Sequence, residues 1–340
     1  HGLLAVGPRS AGADPGPACY GQGGGRATLT DANLALGYLV PDAFLGGRMA
    51  LDAGAALQVI DGGVAKPLDV ETGRAAWGIH EVINEDVARA FRVHASEIGF
   101  DYRRCAMIAF GGSGPVHAMG VARKLGIPRV IFPVAAGVMS ALGLLASPLT
   151  FEVARTRQVF VDDLTAADFA ATLAALESDA MAPLVQAKVE TGGLNISRRL
   201  DMRYHGQGHE IEVTLPQDAK IEALARIFRG HYTAVHGAAL LDAPLVITTW
   251  KVEVSAPPPA LASAPPKAQS KAAPKAARLA YFGEDYIETP VYDRQDLGIG
   301  AIIDGPALIE ERESTAIIGP GDRVQVDEHG NLIAELVRLS

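Results

Sequence analysis

Apolar residues recur at helical spacing over 78–98, where Ile79, Val82, Ile83, Val87, Ala90, Phe91 and Val93 fall at i, i+3 and i+4. Further helices are expected over 52–61, 165–192 and 221–234. A helix is also expected from Thr30, with Thr30 as N-cap and Asp31 adding negative charge to its first turn. The run Cys105–Phe110 reads as a short buried strand, Gly111-Gly112-Ser113-Gly114-Pro115 as a sharp turn, Val116–Leu125 as a helix and Val130–Phe132 as a second strand. Strand, turn, helix and strand make a βαβ unit with a parallel pair and a right-handed crossover. Alternating or β-branched runs at 199–204, 210–215 and 245–255 predict strands.

The stretch 256–277 holds Pro, Ala, Ser and Lys with almost no large apolar residue, and reads as a linker. Beyond it, short strands near Tyr281, 286–288, 307–310, 315–318 and 332–336 predict an all-β segment. Four segments follow: 1–150, 151–255, the linker 256–277, and a smaller β-rich domain over 278–340.

Composition narrows the class. Apolar residues are 49% and charged residues 20% of the 340, which is globular rather than disordered. The net charge of −9 gives no broad reason to bind nucleic acid or an anionic membrane. Cys19 and Cys105 are the only cysteines, too few for a disulfide framework or a four-cysteine zinc site, and the count fits a reducing cytoplasm. The uncharged stretch 130–151 is interrupted by Pro133, Gly137, Gly143 and Pro148, and reads as buried α/β core rather than a membrane span. No basic run leads into an apolar one at the start, so no leader is expected; the chain opens on His1 rather than Met, as the tail of a longer polypeptide would.

Two glycine-rich segments are the candidates for chemistry. At Gly111, Gly112, Ser113 and Gly114, missing side chains let a flat ligand or phosphate approach the backbone, and the helix behind offers free N–H groups. An ordinary tight βα turn satisfies the same spacing, and neither G-x-G-x-x-G nor the G-x-x-x-x-G-K-[ST] loop is present. In the 7–24 segment Asp14 could ligate a metal or act as acid or base, although an Asx turn ahead of Pro15 is the simpler account. Asp31 could serve chemistry, but helix-start electrostatics also explains it. Cys19 reads as a small buried thiol. His205 and His209 bracket two glycines in a strand bend, and Glu310-Glu311-Arg312-Glu313 reads as a solvated edge.

GPRSAGADPGPACYGQGG at 7–24, TDANLALGYL at 30–39, the block 108–145, RLDMRYHGQGHEIEV at 199–213 and the run 305–333 occur in an order that resembles the A-type subunits of the hydantoinase/oxoprolinase family. The resemblance implies an α/β fold, half of a two-lobe ATPase similar to actin, Hsp70 and the sugar kinases, followed by the mostly β domain. It implies ATP with a divalent metal such as Mg²⁺, with Gly111, Gly112, Ser113 and Gly114 along the adenosine/phosphate edge and Asp14 and Asp31 as candidate catalytic residues. The metal ligands stay unassigned, and His117 has no role. The implied activity is ATP-dependent opening of cyclic imides or lactams such as hydantoin and 5-oxoproline, in a cytoplasmic hetero-oligomer with a hydantoinase B-type subunit. Two alternatives remain: a component of an acetone- or acetophenone-type ketone carboxylase, and a non-catalytic assembly subunit.

Overall fold

A computed structural model describes residues 4–190, 192–260 and 272–336. They group into two units, one within 1–142 and 263–340, the other within 143–262. The segment 278–340, expected as a domain of its own, therefore belongs with the N-terminal segment. The physical reason is strand pairing across the chain. Strand β1 (Ala106–Ile108) is parallel to β2 (Arg129–Phe132). On its other edge β2 pairs antiparallel with β13 (Leu332–Glu335). Strands β12 (Arg323–Val326) and β9 (Ile302–Asp304) complete the sheet in the order β1-β2-β13-β12-β9.

A second sheet of this unit has the order β11-β10-β8-β7, from Thr315–Ile318, Ala307–Glu310, Tyr286–Asp293 and Ala276–Tyr281. All residues of β10 and β11 are buried. In β10, Ala307 and Ile309 face one core while Leu308 faces another, which explains its near-continuous apolar sequence. Ala276 and Ala277 already lie in β7, so the strand begins inside the stretch read as linker; 261–271 lie outside the described residues.

The helices of this unit are α1 (Leu29–Ala35), α2 (Ala53–Ile60), α3 (Lys66–Leu68), α4 (Thr72–Glu97) and α5 (Gly114–Leu125). The cap of α1 is Thr28 rather than Thr30. Its hydroxyl accepts from the Asp31 N–H while the Asp31 carboxylate accepts from the Thr28 N–H, a reciprocal capping box. Helix α5 starts with Pro115 in its first turn and stops at the left-handed Gly126. The βαβ unit thus has the expected order and parallel register.

Three burial expectations fail. Strand β1 is an edge strand, so Ile108 and Phe110 are 58% and 49% exposed. The expected stripe of α4 is largely outward, with Val87, Phe91 and Val93 exposed. Its buried face is Ala75, Ala76, Ile79, His80, Asn84, Ala88 and Ala95. Small residues sit there because α5 comes close: a Cβ on Gly120 would lie 2.5 Å from Asn84 Nδ2. Third, α6 (Met139–Ala146) in the uncharged stretch has no buried residue.

The unit within 143–262 is a four-stranded antiparallel sheet of order β3-β6-β4-β5, from Thr150–Phe160, Leu245–Ser255, Asn195–Tyr204 and Ile211–Leu215. Alternation sorts its faces. Leu200, Met202, Val213, Trp250 and Val252 pack with residues of α7 (Ala166–Gln186) and α8 (Ile221–His236). Arg199, Asp201, Glu212, Lys251 and Glu253 form a ladder of ion pairs. Helix α7 stops six residues short of the expected end, at Gln186. The 205–209 segment is the β4–β5 turn, where the Gln207 Nε2 group donates to Tyr232 Oη at 2.6 Å. Among the described residues no helix is long and apolar enough to cross a membrane.

Phe228 is fully buried, with the rings of Tyr204 and Tyr232 at 5.0 and 5.5 Å. Phe228→Ala is expected to destabilise by about 3–5 kcal/mol, read as a lowered midpoint in denaturant melts.

Candidate functional site

The glycine turn is bare. Gly111 has φ +88°, a conformation that favours glycine, and its N–H donates to the Ala136 carbonyl at 2.8 Å. A Cβ at Gly111 or Gly114 would meet nothing within 4 Å, and one at Gly112 would meet only the Glu313 carbonyl at 3.4 Å. Ser113 sits at the N-cap of α5 without a side-chain capping bond, so its hydroxyl is not committed to the helix. The helix start adds orphan N–H groups and the positive end of a dipole. Backbone of this kind fits the adenosine or phosphate edge of a nucleotide. Among the described residues no group of three His, Cys, Asp or Glu comes together to hold a metal ion.

Below the turn lies the run that the sequence presents as a solvated edge. The structure corrects this reading. Glu310 is buried and paired with Lys275 at 2.9 Å and with Arg278. Glu311 faces Arg294, Oε1 to Nε 3.6 Å, and its carboxylate also takes backbone N–H interactions from Ala136 and Gly137. Burial raises the Glu311 carboxyl above its ordinary range despite the guanidinium, and pushes Arg294 down to about 10. These charges are buried because β10 and β11 lie between two cores, which alternating charge in the sequence does not reveal.

Asp31 is fully buried. Its carboxylate accepts from the N–H groups of Ala18 (3.3 Å), Cys19 (2.8 Å) and Thr28 (3.0 Å) and from the Thr28 hydroxyl (2.7 Å). Four local donors make it the clasp of its loop rather than a free acid or base. Burial and the Asp31 carboxylate push the Cys19 thiol up to about 12, so it stays protonated and inert. Asp14 is exposed and makes no hydrogen bond or ion pair with a described residue. A cavity of about 660 Å³ opens in the same segment, bounded by Arg9, Ser10, Gly16, Thr30, Val64 and Ile79 among others.

Helices α1, α4 and α5 meet through side chains to which the sequence alone gives no role. His117 Nδ1 lies 2.8 Å from Asn84 Oδ1, and its Nε2 is 3.4 Å from Asn33 Nδ2. His80 Nδ1 is 2.9 Å from Asn33 Oδ1, and the two imidazoles stack at 4.4 Å. Trp77 extends the stack on His80 at 5.6 Å. Desolvation lowers His80 to about 3 and His117 to about 4, so both rings are neutral at pH 7. The i, i+4 spacing of His80 and Asn84 was the available signal, but it became legible only with α5 in place.

The frame so described is mixed α/β, with a bare glycine turn at the start of α5. Residues 1–153 match the hydantoinase/oxoprolinase family model and residues 162–334 match the hydantoinase/oxoprolinase C-terminal domain. The chain belongs to the hydantoinase/oxoprolinase family. It is 34% identical over 339 residues to the alpha subunit of caprolactamase from Pseudomonas jessenii, covering 96% of this chain and 49% of that one. The acetophenone carboxylase gamma subunit of Aromatoleum aromaticum is 32% identical over 363 residues, covering 98% and 48%. The crystal structure of ATP-dependent caprolactamase from Pseudomonas jessenii superposes with a TM-score of 0.75 at 33% identity, covering 98% and 50%. The chain thus spans about half the length of these relatives.

Two outcomes test this arrangement. Removing the clasp in Asp31→Ala strands three backbone donors, and is expected to cost at least about 2 kcal/mol in thermal or denaturant melts. For the histidines the folded pKa lies below the unfolded value of about 6.5. Protons therefore bind the unfolded chain first as pH falls, and stability drops between about pH 6.5 and 4 by up to about 1.4 kcal/mol per pH unit for each ring. Denaturant midpoints across that range should show the fall, and His117→Gln should lessen its slope.

Proposed function

We propose that this chain supplies part of an ATP-dependent enzyme that opens cyclic amides, imides or lactams, in a hetero-oligomer with a hydantoinase B-type subunit. The carrying observation is the bare backbone at 111–114 heading α5. Likeness to a caprolactamase component supports the substrate class. Gly111, Gly112 and Gly114 leave room for the nucleotide to lie on the main chain, and the α5 N-terminus favours its negative charge. The Ser113 hydroxyl adds an uncommitted donor. ATP, when bound, would supply a phosphoryl group to the amide oxygen, which makes the amide carbon open to attack by water and phosphate the leaving group.

The chain's own contribution is positioning and electrostatics. The cavity beside the 7–17 loop takes the ring of the substrate. Its wall includes Val64 and Ile79, its rim carries Arg9 and Ser10, and no described Asp or Glu lines it. Asp14 stands on the loop that borders the cavity but outside its lining, where it meets only the parts of a substrate that project from the cavity, while Asp31 holds that loop. A Mg²⁺ ion carried in with the nucleotide would be held chiefly by its phosphates and water, with few ligands from the protein. An ATP-consuming reaction and the cysteine usage fit a cytoplasmic enzyme. The 32% identity to an acetophenone carboxylase component supports ketone carboxylation as the second reading.

Calorimetric titration of the intact chain with ATP is expected to give saturable heat. Gly112→Val should weaken binding at least about tenfold, equivalent to 1.4 kcal/mol, because a branched side chain would cover the bare backbone. No heat with the native chain would sink the nucleotide reading. ATP turnover with the partner chain present should rise with caprolactam, hydantoin or 5-oxoproline; a rise only with a ketone plus bicarbonate would select the carboxylase.

A further inference from the structure

We propose that Glu311 is a positioning residue for the nucleotide turn: joined to Arg294, it fixes the 134–138 loop, whose Ala136 carbonyl in turn sets the conformation of Gly111. The inference rests on the proposed nucleotide site for its consequence, but its geometry stands on its own. Gly111 is held at φ +88° by one bond from its N–H to Ala136, at 2.8 Å. The acceptor therefore has to be placed well. The residue before it, Ala135, is left-handed at φ +57°, a conformation that strains a non-glycine residue. Such a residue persists only where its surroundings over-determine it.

Those surroundings come from the far end of the sequence. The Ala136 and Gly137 N–H groups interact with the Glu311 carboxylate. Glu311 faces Arg294 at 3.6 Å, and the two side chains are 15% and 8% exposed. Arg294 is itself anchored, donating from Nη2 to the Gly330 carbonyl at 2.5 Å and to the Phe132 carbonyl at 3.4 Å. Its buried Nη1 has no partner. Removing the carboxylate would leave a buried cation with less compensation still, so the pair and the loop are expected to shift together.

Two close approaches fix the fit. The Glu311–Ser314 turn is closed by the Glu311 N–H donating to the Ser314 carbonyl at 2.8 Å. A Cβ on Gly137 would lie 2.6 Å from the Glu313 Cβ, and one on Gly112 would lie 3.4 Å from the Glu313 carbonyl. One turn between β10 and β11 therefore touches both the glycine turn and the loop that anchors it. This is a built support, in which charge and contact act on the same few backbone atoms.

The test uses the intact chain and two variants, Glu311→Ala and Glu311→Gln. Hydrogen exchange followed by mass spectrometry should show 109–113 exchanging at least tenfold faster in Glu311→Ala, with 195–204 unchanged. Glu311→Gln keeps an acceptor for the two N–H groups and should fall between alanine and the native chain. ATP dissociation constants should follow the same order, rising at least tenfold in Glu311→Ala. Native-like exchange at 109–113 in both variants would overturn the proposal. So would an exchange increase spread evenly through α4 and α5 in the milder Gln variant, which marks a residue that only stabilises the unit. If the native chain fails to bind ATP, the nucleotide reading falls, and the exchange result still decides whether Glu311 sets the turn.

Discussion

The antiparallel pairing of β13 with β2 is the interaction on which the functional arrangement depends. Leu332 to Glu335 lie opposite Phe132 to Arg129, joining positions some two hundred residues apart in sequence. With that register set, β13, β12 and β9 extend the sheet of the βαβ unit, and β11 packs against α5. Arg123 of α5 then reaches the buried Asp322, with its Nη2 donating to both carboxylate oxygens at 2.8 and 2.7 Å. The Glu311–Ser314 turn comes to lie against Gly112 and Gly137. The glycine turn therefore has two origins: local chain geometry shapes it, and the C-terminal strands support it.

The βαβ unit was legible because its signals are local. An apolar run, paired glycines, a proline in the first helical turn and a glycine stop all lie within 105–132. The support was not legible, because Glu310 and Glu311 owe their burial to neighbours distant in sequence. Helix α4 shows the same limit. Its i, i+3, i+4 apolar stripe does not mark the buried face. His80 and Asn84 pass for surface residues until α1 is seen to bring Asn33 to His80, and Gly120 to let α5 bring His117 to Asn84. Thr28 took the cap expected of Thr30 for a simpler reason: only from Thr28 do hydroxyl and Asp31 carboxylate complete the reciprocal pair.

Several groups that could react are held quiet. Cys19 is protonated, His80 and His117 are neutral, and the Asp31 carboxylate is filled by four donors. What stays available is main-chain N–H at the α5 start, the Ser113 hydroxyl and Asp14, which pairs with no described residue. An inventory of that kind suits chemistry in which the co-substrate brings the reactivity and the protein holds parts in place. It also explains why no nucleophile-and-base pattern could be found along the chain.

Because the 143–262 unit is inserted between the two segments of the other, synthesis separates β2 from β13 by about 200 residues. At ribosomal speeds of roughly 5–20 residues per second, that is about 10–40 s. During that interval one edge of β2 presents unpaired N–H and C=O groups, the kind of edge that recruits foreign strands. The inserted unit is continuous and can close while it waits. The nascent chain thus carries a sticky ribbon until 332–335 emerge, and cellular yield would respond to holdase supply and to translation speed across the insertion.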